Sequence, residues 1–180
     1  MAGEKIDLRQ VLIREAIARL GDGAAELSLR SVARAAGVSA MAPYRHFADK
    51  AALLGAVAEQ GFRELQAALE AADATEQGTG ALVAQGLAYV AFAQGRPALF
   101  RLMFSGRDIA CISDAAGQGA YGVLARRVAA LAPGDCEART LGCWAMVHGL
   151  ATLSLDGRLA TGPQEIRPVL ALLTRGFGDC

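Results

Sequence analysis

Apolar residues recur along this chain at intervals of three and four, the spacing that gives a helix one buried face. Leu8, Leu12, Ala16, Ile17 and Leu20 predict a helix over 7–20, opened by Asp7 and ended by Gly21 and Gly23. A short helix follows. Ser28 is its cap, Leu29, Val32, Ala33 and Ala36 form its small apolar face, and Gly37 stops it in the left-handed conformation of a helix C-cap. Val38 is the apolar plug of a tight turn, and a second short helix begins with Ser39 as its cap. Phe47 turns back to the core. Asp49 then caps a long helix over 50–72, with Leu53, Leu54, Val57, Gly61, Phe62, Leu65 and Leu69 in register.

The polar stretch 73–80, with two glycines, predicts a linker. Beyond it the pattern is helix after helix: over 81–94 (Leu82, Leu87, Val90, Ala91), from Pro97 at a first helical position, and over 114–131. The 114–131 stripe is Tyr121, Leu124, Val128 and Leu131, with Arg126 and Arg127 outside. Asp135 can cap a helix reaching to about 155, and Pro163 opens a last one with Ile166, Val169, Leu170, Leu173 and Phe177. No segment alternates with the two-residue period of a strand. The prediction is an all-α chain: a three-helix head over 1–50, a connector helix over about 50–72, and a helical-bundle body over 73–180.

Between Ser39 and Lys50 the second short helix presents Ala40, Met41, Ala42, Tyr44, Arg45 and His46, a face rich in donors and nearly free of acids. A helix, a glycine turn and a basic helix with an aromatic hydroxyl make a helix-turn-helix suited to a major groove. L-S-L-R-S-V-A-R-A-A-G-V-S followed by A-P-Y-R-H-F-A-D-K resembles the N-terminal domain of the tetracycline-repressor (TetR) family of bacterial regulators. The resemblance is close over about 50 residues, and the length and helical pattern of the remainder fit it. It implies a homodimer on a palindromic operator, whose grip changes when a small molecule occupies the C-terminal domain.

On that resemblance Tyr44, His46 and Lys50 grip phosphates, for which a phenol, an imidazole N–H and a lysine at a helix start are suitable donors. Base reading falls to Ala40, Met41, Arg45 and Arg30, because an arginine fork fits guanine and a methyl or thioether packs on a thymine methyl. The cap serines, Ser28 and Ser39, complete the expected DNA-binding set. Pro43 departs from the hydrophobic residue commoner at its place in the family. Arg9 and Arg14 either reach phosphates or form a solvated face.

Trp144, His148, Gly149 and Leu150 make a W-x-x-x-H-G-L pattern that resembles a C-terminal subgroup of the same family. Leu141, Trp144, His148, Ala151 and Leu155 line one face of that helix, while Gly142, Ala145, Gly149 and Thr152 line its neighbour with small residues. Glycine within a helix costs about 1 kcal/mol, so two on one face imply that another helix comes close. With Ile166, Val169, Leu170, Leu173 and Phe177 of the last helix, this predicts a four-helix dimer interface; the alternative is close packing within one subunit. Tyr89, Phe92, Phe100, Met103, Phe104, Tyr121, Trp144 and His148 are candidates for the wall of an apolar ligand pocket.

Formal net charge is zero, but residues 28–50 carry four basic side chains against one acid, and 51–180 carry ten against twelve. The positive field is confined to the head, as a local nucleic-acid footprint would be. Cys143 and His148 stand five apart without a third orienting residue, and no nucleotide, zinc-protease or hydrolase motif is present, so no enzyme, cofactor or metal site is expected. No apolar run reaches membrane-spanning length and no signal peptide is evident, and Cys111, Cys136, Cys143 and Cys180 are scattered, which predicts a cytoplasmic protein with reduced thiols. The expected function is a DNA-binding regulator, a repressor released by a small apolar ligand. The alternative is a helical regulator acting through a protein partner or without a small-molecule ligand.

Overall fold

In a computed structural model, residues 7–21, 27–105, 114–159 and 162–175 are described. Those residues form α1 (Leu8–Gly21), α2 (Leu29–Ala35), a 3-10 turn (Ala42–Arg45), α3 (Lys50–Asp73), α4 (Gly78–Gly95), α5 (Pro97–Met103), α6 (Asp114–Leu131), α7 (Cys136–Leu155) and α8 (Pro163–Thr174). The all-α expectation is met, and none of the described helices is long and apolar enough to cross a membrane. Packing divides the chain into two compact units. One takes the described residues up to Gly61 together with those from Ala98 to Ser105; the other takes Phe62–Pro97 and the described residues from Asp114 onward.

In the first unit, Leu12, Ile13 and Ala16 of α1, Val32 and Ala33 of α2, and Leu53, Val57 and Ala58 of α3 are fully buried. The chain enters α2 through a capping box: the Ser28 hydroxyl accepts from the Ser31 amide at 3.1 Å, and the Ser31 hydroxyl accepts from the Ser28 amide at 3.0 Å. It leaves through a Schellman turn, in which the Val38 amide donates to Ala33 and the Gly37 amide to Arg34, with Gly37 at φ +68°. Asp49 caps α3 as predicted, its Oδ1 accepting from the Ala52 amide at 2.8 Å. Leu99, Phe100 and Met103 of α5 are buried in this unit as well. Gly61 lets that helix approach, since a Cβ there would lie 2.6 Å from Met103 Sδ and 3.1 Å from Leu99 Cδ1.

The predicted second short helix is corrected to one turn of 3-10 helix. Ser39 does not cap it; Met41 holds the N-cap position without a side-chain hydrogen bond, and Pro43 stands in the first turn. In an α-helix started at Ser39, residue 43 would donate the first bond back to the Ser39 carbonyl, and proline has no N–H to give. The Ala42 amide takes that carbonyl instead at 2.9 Å, the shorter 3-10 link, and the His46 and Phe47 amides both close on the Pro43 carbonyl.

In the second unit α4 is central and packs against α6, α7 and α8. No charged residue occurs along its length, as suits a helix covered on all sides. It begins at Gly78, so the expected linker 73–80 is a short turn between helices rather than a flexible stretch. Gly86 is the close-approach glycine here: a Cβ would lie 2.7 Å from Leu170 Cδ1 and 3.3 Å from Val147 Cγ1. Asp135 stands at the start of α7, as predicted, but its side chain makes no capping bond. The buried edge of α6 is Ala120, Val123 and Val128; Tyr121, Leu124 and Leu131 are only half-buried.

Candidate functional site

The head residues expected to meet DNA fall in the first unit, from the start of α2 to the start of α3. Arg30, Ser39, Ala40, Met41, Tyr44, Arg45, His46 and Lys50 are exposed, while Ser28 is half-buried and occupied in its capping box. Met41 is 67% exposed, an unusual position for a thioether. Pro43 and Phe47 are buried and anchor the turn, leaving the residues between them outward. Arg9, from the first turn of α1, lays its guanidinium over the Phe47 ring at 5.4 Å from the centroid.

The predicted pocket set divides. Tyr89, Trp144, His148 and Tyr121 come together in the second unit, from α4, α7 and α6. The Tyr121 and Trp144 rings meet edge-on at 6.0 Å, Trp144 and His148 lie 5.8 Å apart, and Tyr89 meets His148 edge-on at 6.3 Å. Phe92 is half-buried in the same unit, under the Arg96 guanidinium. Phe100, Met103 and Phe104 belong to the first unit, with the two phenyl rings 4.9 Å apart.

Tyr89 Oη lies 2.9 Å from His148 Nδ1. Burial pushes the Tyr89 phenol well above its usual range, so it stays protonated, with a hydrogen bond from Trp144 pulling weakly the other way. A phenol can donate to Nδ1 or accept from it, and only the first arrangement places the proton of neutral His148 on Nε2. Burial also lowers the His148 pKa. Cys143 is half-buried; burial pushes its thiol up while Arg139 pulls it down, so it is not an activated nucleophile.

A polar network unseen in the sequence lies at the end of α3. Arg127 grips Asp73 with both arms of its fork, at 2.8 Å each, and Gln85 Nε2 donates to the same carboxylate at 2.6 Å. The hydrogen bond from Arg127 first, and that from Gln85 second, hold the Asp73 carboxyl below its usual range against the opposing effect of burial. Arg127 was expected on the outside and is instead part-buried in this pair. An open groove of about 350 Å³ beside it is lined by Glu70, Asp73, Val123, Arg126, Arg127 and Ala130. The signal in the sequence is Gln85, a glutamine among the apolar residues of the middle of α4 and next to the close-packed Gly86.

On α7, Gly142, Ala145 and Thr152 are exposed and Gly149 half-exposed. A Cβ added to Gly142 or Gly149 would meet nothing within 4 Å, so no described helix of this chain uses the space they leave. Leu141 (54% exposed), Leu153, Val169 and Leu172 (58%) are the large apolar residues exposed on α7 and α8. Ile166 and Leu170 point inward and are buried in the monomer. Phe177 and the side chain of Leu173 lie outside the described residues, as do Cys111 and Cys180.

Residues 13–57 match the family model "Bacterial regulatory proteins, tetR family", and residues 82–177 match "Tetracyclin repressor-like, C-terminal domain". No match was found among curated proteins. A solved structure of a protein of unknown function from Rhodococcus sp. RHA1 is 34% identical, covers 99% of this chain and 100% of its own, and superposes with a TM-score of 0.84. A TetR family transcription regulator from Marinobacter aquaeolei VT8 is 18% identical over 92% of this chain and 93% of its own, with a TM-score of 0.70. The multidrug binding protein EbrR, solved with imidazole, is 23% identical over 93% of this chain and 94% of its own, at 0.63. The helix-turn-helix head and the helical body each match their own family model, and together they make the chain a DNA-binding transcriptional regulator of the TetR family.

Proposed function

We propose that this regulator is a homodimeric repressor that holds a palindromic operator and releases it when a small apolar ligand enters the body. The observation that carries the reading is the run of exposed donors from Arg30 to Lys50, fixed by a capping box, a Schellman turn and the Asp49 cap. Tyr44, His46 and Lys50 grip phosphates. Arg30, Arg45, Ala40 and Met41 face base edges, and Ser28 and Ser39 flank them. The exposed thioether of Met41 suits a thymine methyl.

Support for the dimer comes from the small-residue face of α7, open at Gly142 and Gly149, with Val169 exposed on α8. Such a face lets a second helix come close. The ligand reading rests on the Tyr89–Trp144–His148–Tyr121 cluster, apolar with one polar chain through it, and gains from the fold shared with EbrR, which binds drugs. The ligand must favour the DNA-free state, because equal affinity for both states shifts nothing. Two recognition turns must sit about 34 Å apart to enter successive major grooves, so a modest change in that spacing suffices for release.

Selection of genomic fragments by the purified protein tests the reading. A palindrome should be enriched, and a small apolar compound that quenches Trp144, the only tryptophan, should lower affinity for it. Failure to enrich any palindrome would favour regulation through a protein partner.

A further inference from the structure

The structure assigns Arg9 a part that neither family match specifies: we infer that it is a stacked, pre-oriented DNA-phosphate contact, held over Phe47 at the edge of the recognition turn. The inference rests on the head being a DNA reader and adds a residue from outside the helix-turn-helix.

Arg9 stands in the first turn of α1, 38 positions before Phe47 in the chain, yet its guanidinium carbon is 5.4 Å from the centre of that ring. Phe47 is buried among the core residues of this unit, so its ring is a constrained platform. It directly follows His46, whose ring lies 6.5 Å from it, and it precedes Asp49 and Lys50 at the start of α3. Arg9 therefore packs on the residue that separates His46 from the start of α3.

Stacking engages the face of a guanidinium and leaves the N–H groups on its rim, which are the groups that grip a phosphate. Among the described residues no carboxylate pairs with Arg9. Asp7, the nearest acid in sequence, receives the Arg9 backbone amide at 3.0 Å as the cap of α1. A long, otherwise mobile side chain is thus held partly exposed against an aromatic ring, with no described carboxylate paired to its charge. The platform also removes much of the rotamer entropy that a free arginine loses on binding.

The probe is a random-sequence 30-base-pair duplex, titrated between about 50 and 200 mM salt, where phosphate contacts dominate the slope of log Kd against log salt. Arg9→Gln keeps most of the stem and removes the charge; its slope should fall by about 0.9 per subunit relative to the unchanged protein. Arg9→Lys should keep the slope and lose several-fold in affinity, because lysine keeps the charge but stacks poorly. An unchanged slope in folded Arg9→Gln, judged by circular dichroism, overturns the inference. Should that variant unfold, equal affinities of Arg9→Lys and the unchanged protein overturn it as well. A protein whose Arg9 variants behave alike but whose Lys50→Ala slope does fall would keep the DNA-reading head and lose only this contact. Absence of any salt-dependent binding by the unchanged protein would overturn both.

Discussion

Tyr89 and His148, 59 residues apart in the chain, share a hydrogen bond of 2.9 Å between the phenol and Nδ1. In Tyr89→Phe the imidazole loses that partner, and a part-buried ring nitrogen is left to find another, at a cost of about 1–3 kcal/mol. With the phenol as donor the bond favours neutral His148, so the histidine pKa, already lowered by burial, should rise in the variant. Proton NMR of His148 decides: a pKa that stays put or falls means that the phenol is not the donor.

The same histidine makes stability depend on pH near neutrality. Its folded pKa lies below the reference value of 6.5, so in the window between them the unfolded chain binds more protons. The stability it contributes is complete above 6.5 and is lost as pH falls through the lower folded value. Replacing His148 with Gln should flatten that part of a melting-temperature profile.

Asp73 and Arg127 set a second dependence further into acid. The folded Asp73 pKa lies below 3.8, so its contribution is present above that value and is lost as pH falls through the folded pKa. Arg127→Ala should cost about 1–2 kcal/mol at pH 7, with Arg127→Lys between, since an ammonium cannot make the two-armed contact. Denaturant titrations should show the difference shrinking near pH 3. Equal differences at both pH values would mean that the pair contributes nothing by charge.

Two glycines make opposite forecasts. Alanine at Gly86 meets Leu170 and Val147, and overpacking of this kind costs about 1–3 kcal/mol, against about 1 kcal/mol gained in helix propensity. Alanine at Gly149 meets nothing among the described residues and should stabilise an isolated monomer by about 1 kcal/mol. If α7 is the dimer interface, Gly149→Ala should instead weaken the dimer, and Gly149→Leu should abolish it by light scattering. A Gly149→Leu protein that remains a dimer of normal stability would move the interface elsewhere.

In the head, Lys50→Ala should weaken operator and random DNA alike, whereas Arg30→Ala or Arg45→Ala should relax specificity at one position per half-site, costing about 1–3 kcal/mol there. Binding to a panel of singly substituted operators separates the two patterns. Uniform losses for both arginines would identify them as phosphate contacts.

What could be read beforehand was what neighbours in sequence decide. The Ser28 cap, the Gly37 stop and the Asp49 cap depend on residues within a few positions, and each stands as predicted. The helix expected from Ser39 is a 3-10 turn because Pro43 has no N–H for the first α-helical bond, a local feature that the motif masks. The Asp73–Arg127 pair spans 54 residues and Arg9 over Phe47 spans 38; neither spacing leaves a periodic mark. The aromatic cluster was half legible. Tyr89, Tyr121, Trp144 and His148 touch one another in the second unit, but apolar content alone does not separate them from Phe100, Met103 and Phe104, which pack in the other.

A turn locked by Pro43 on one side and by the Gly37 Schellman bonds on the other has little backbone freedom left to lose. DNA therefore meets a surface already in its final backbone shape, and the heat of association should carry no contribution from helix formation. Calorimetry at several temperatures should give a heat-capacity change set by the area covered alone, without the large negative excess that marks folding coupled to binding.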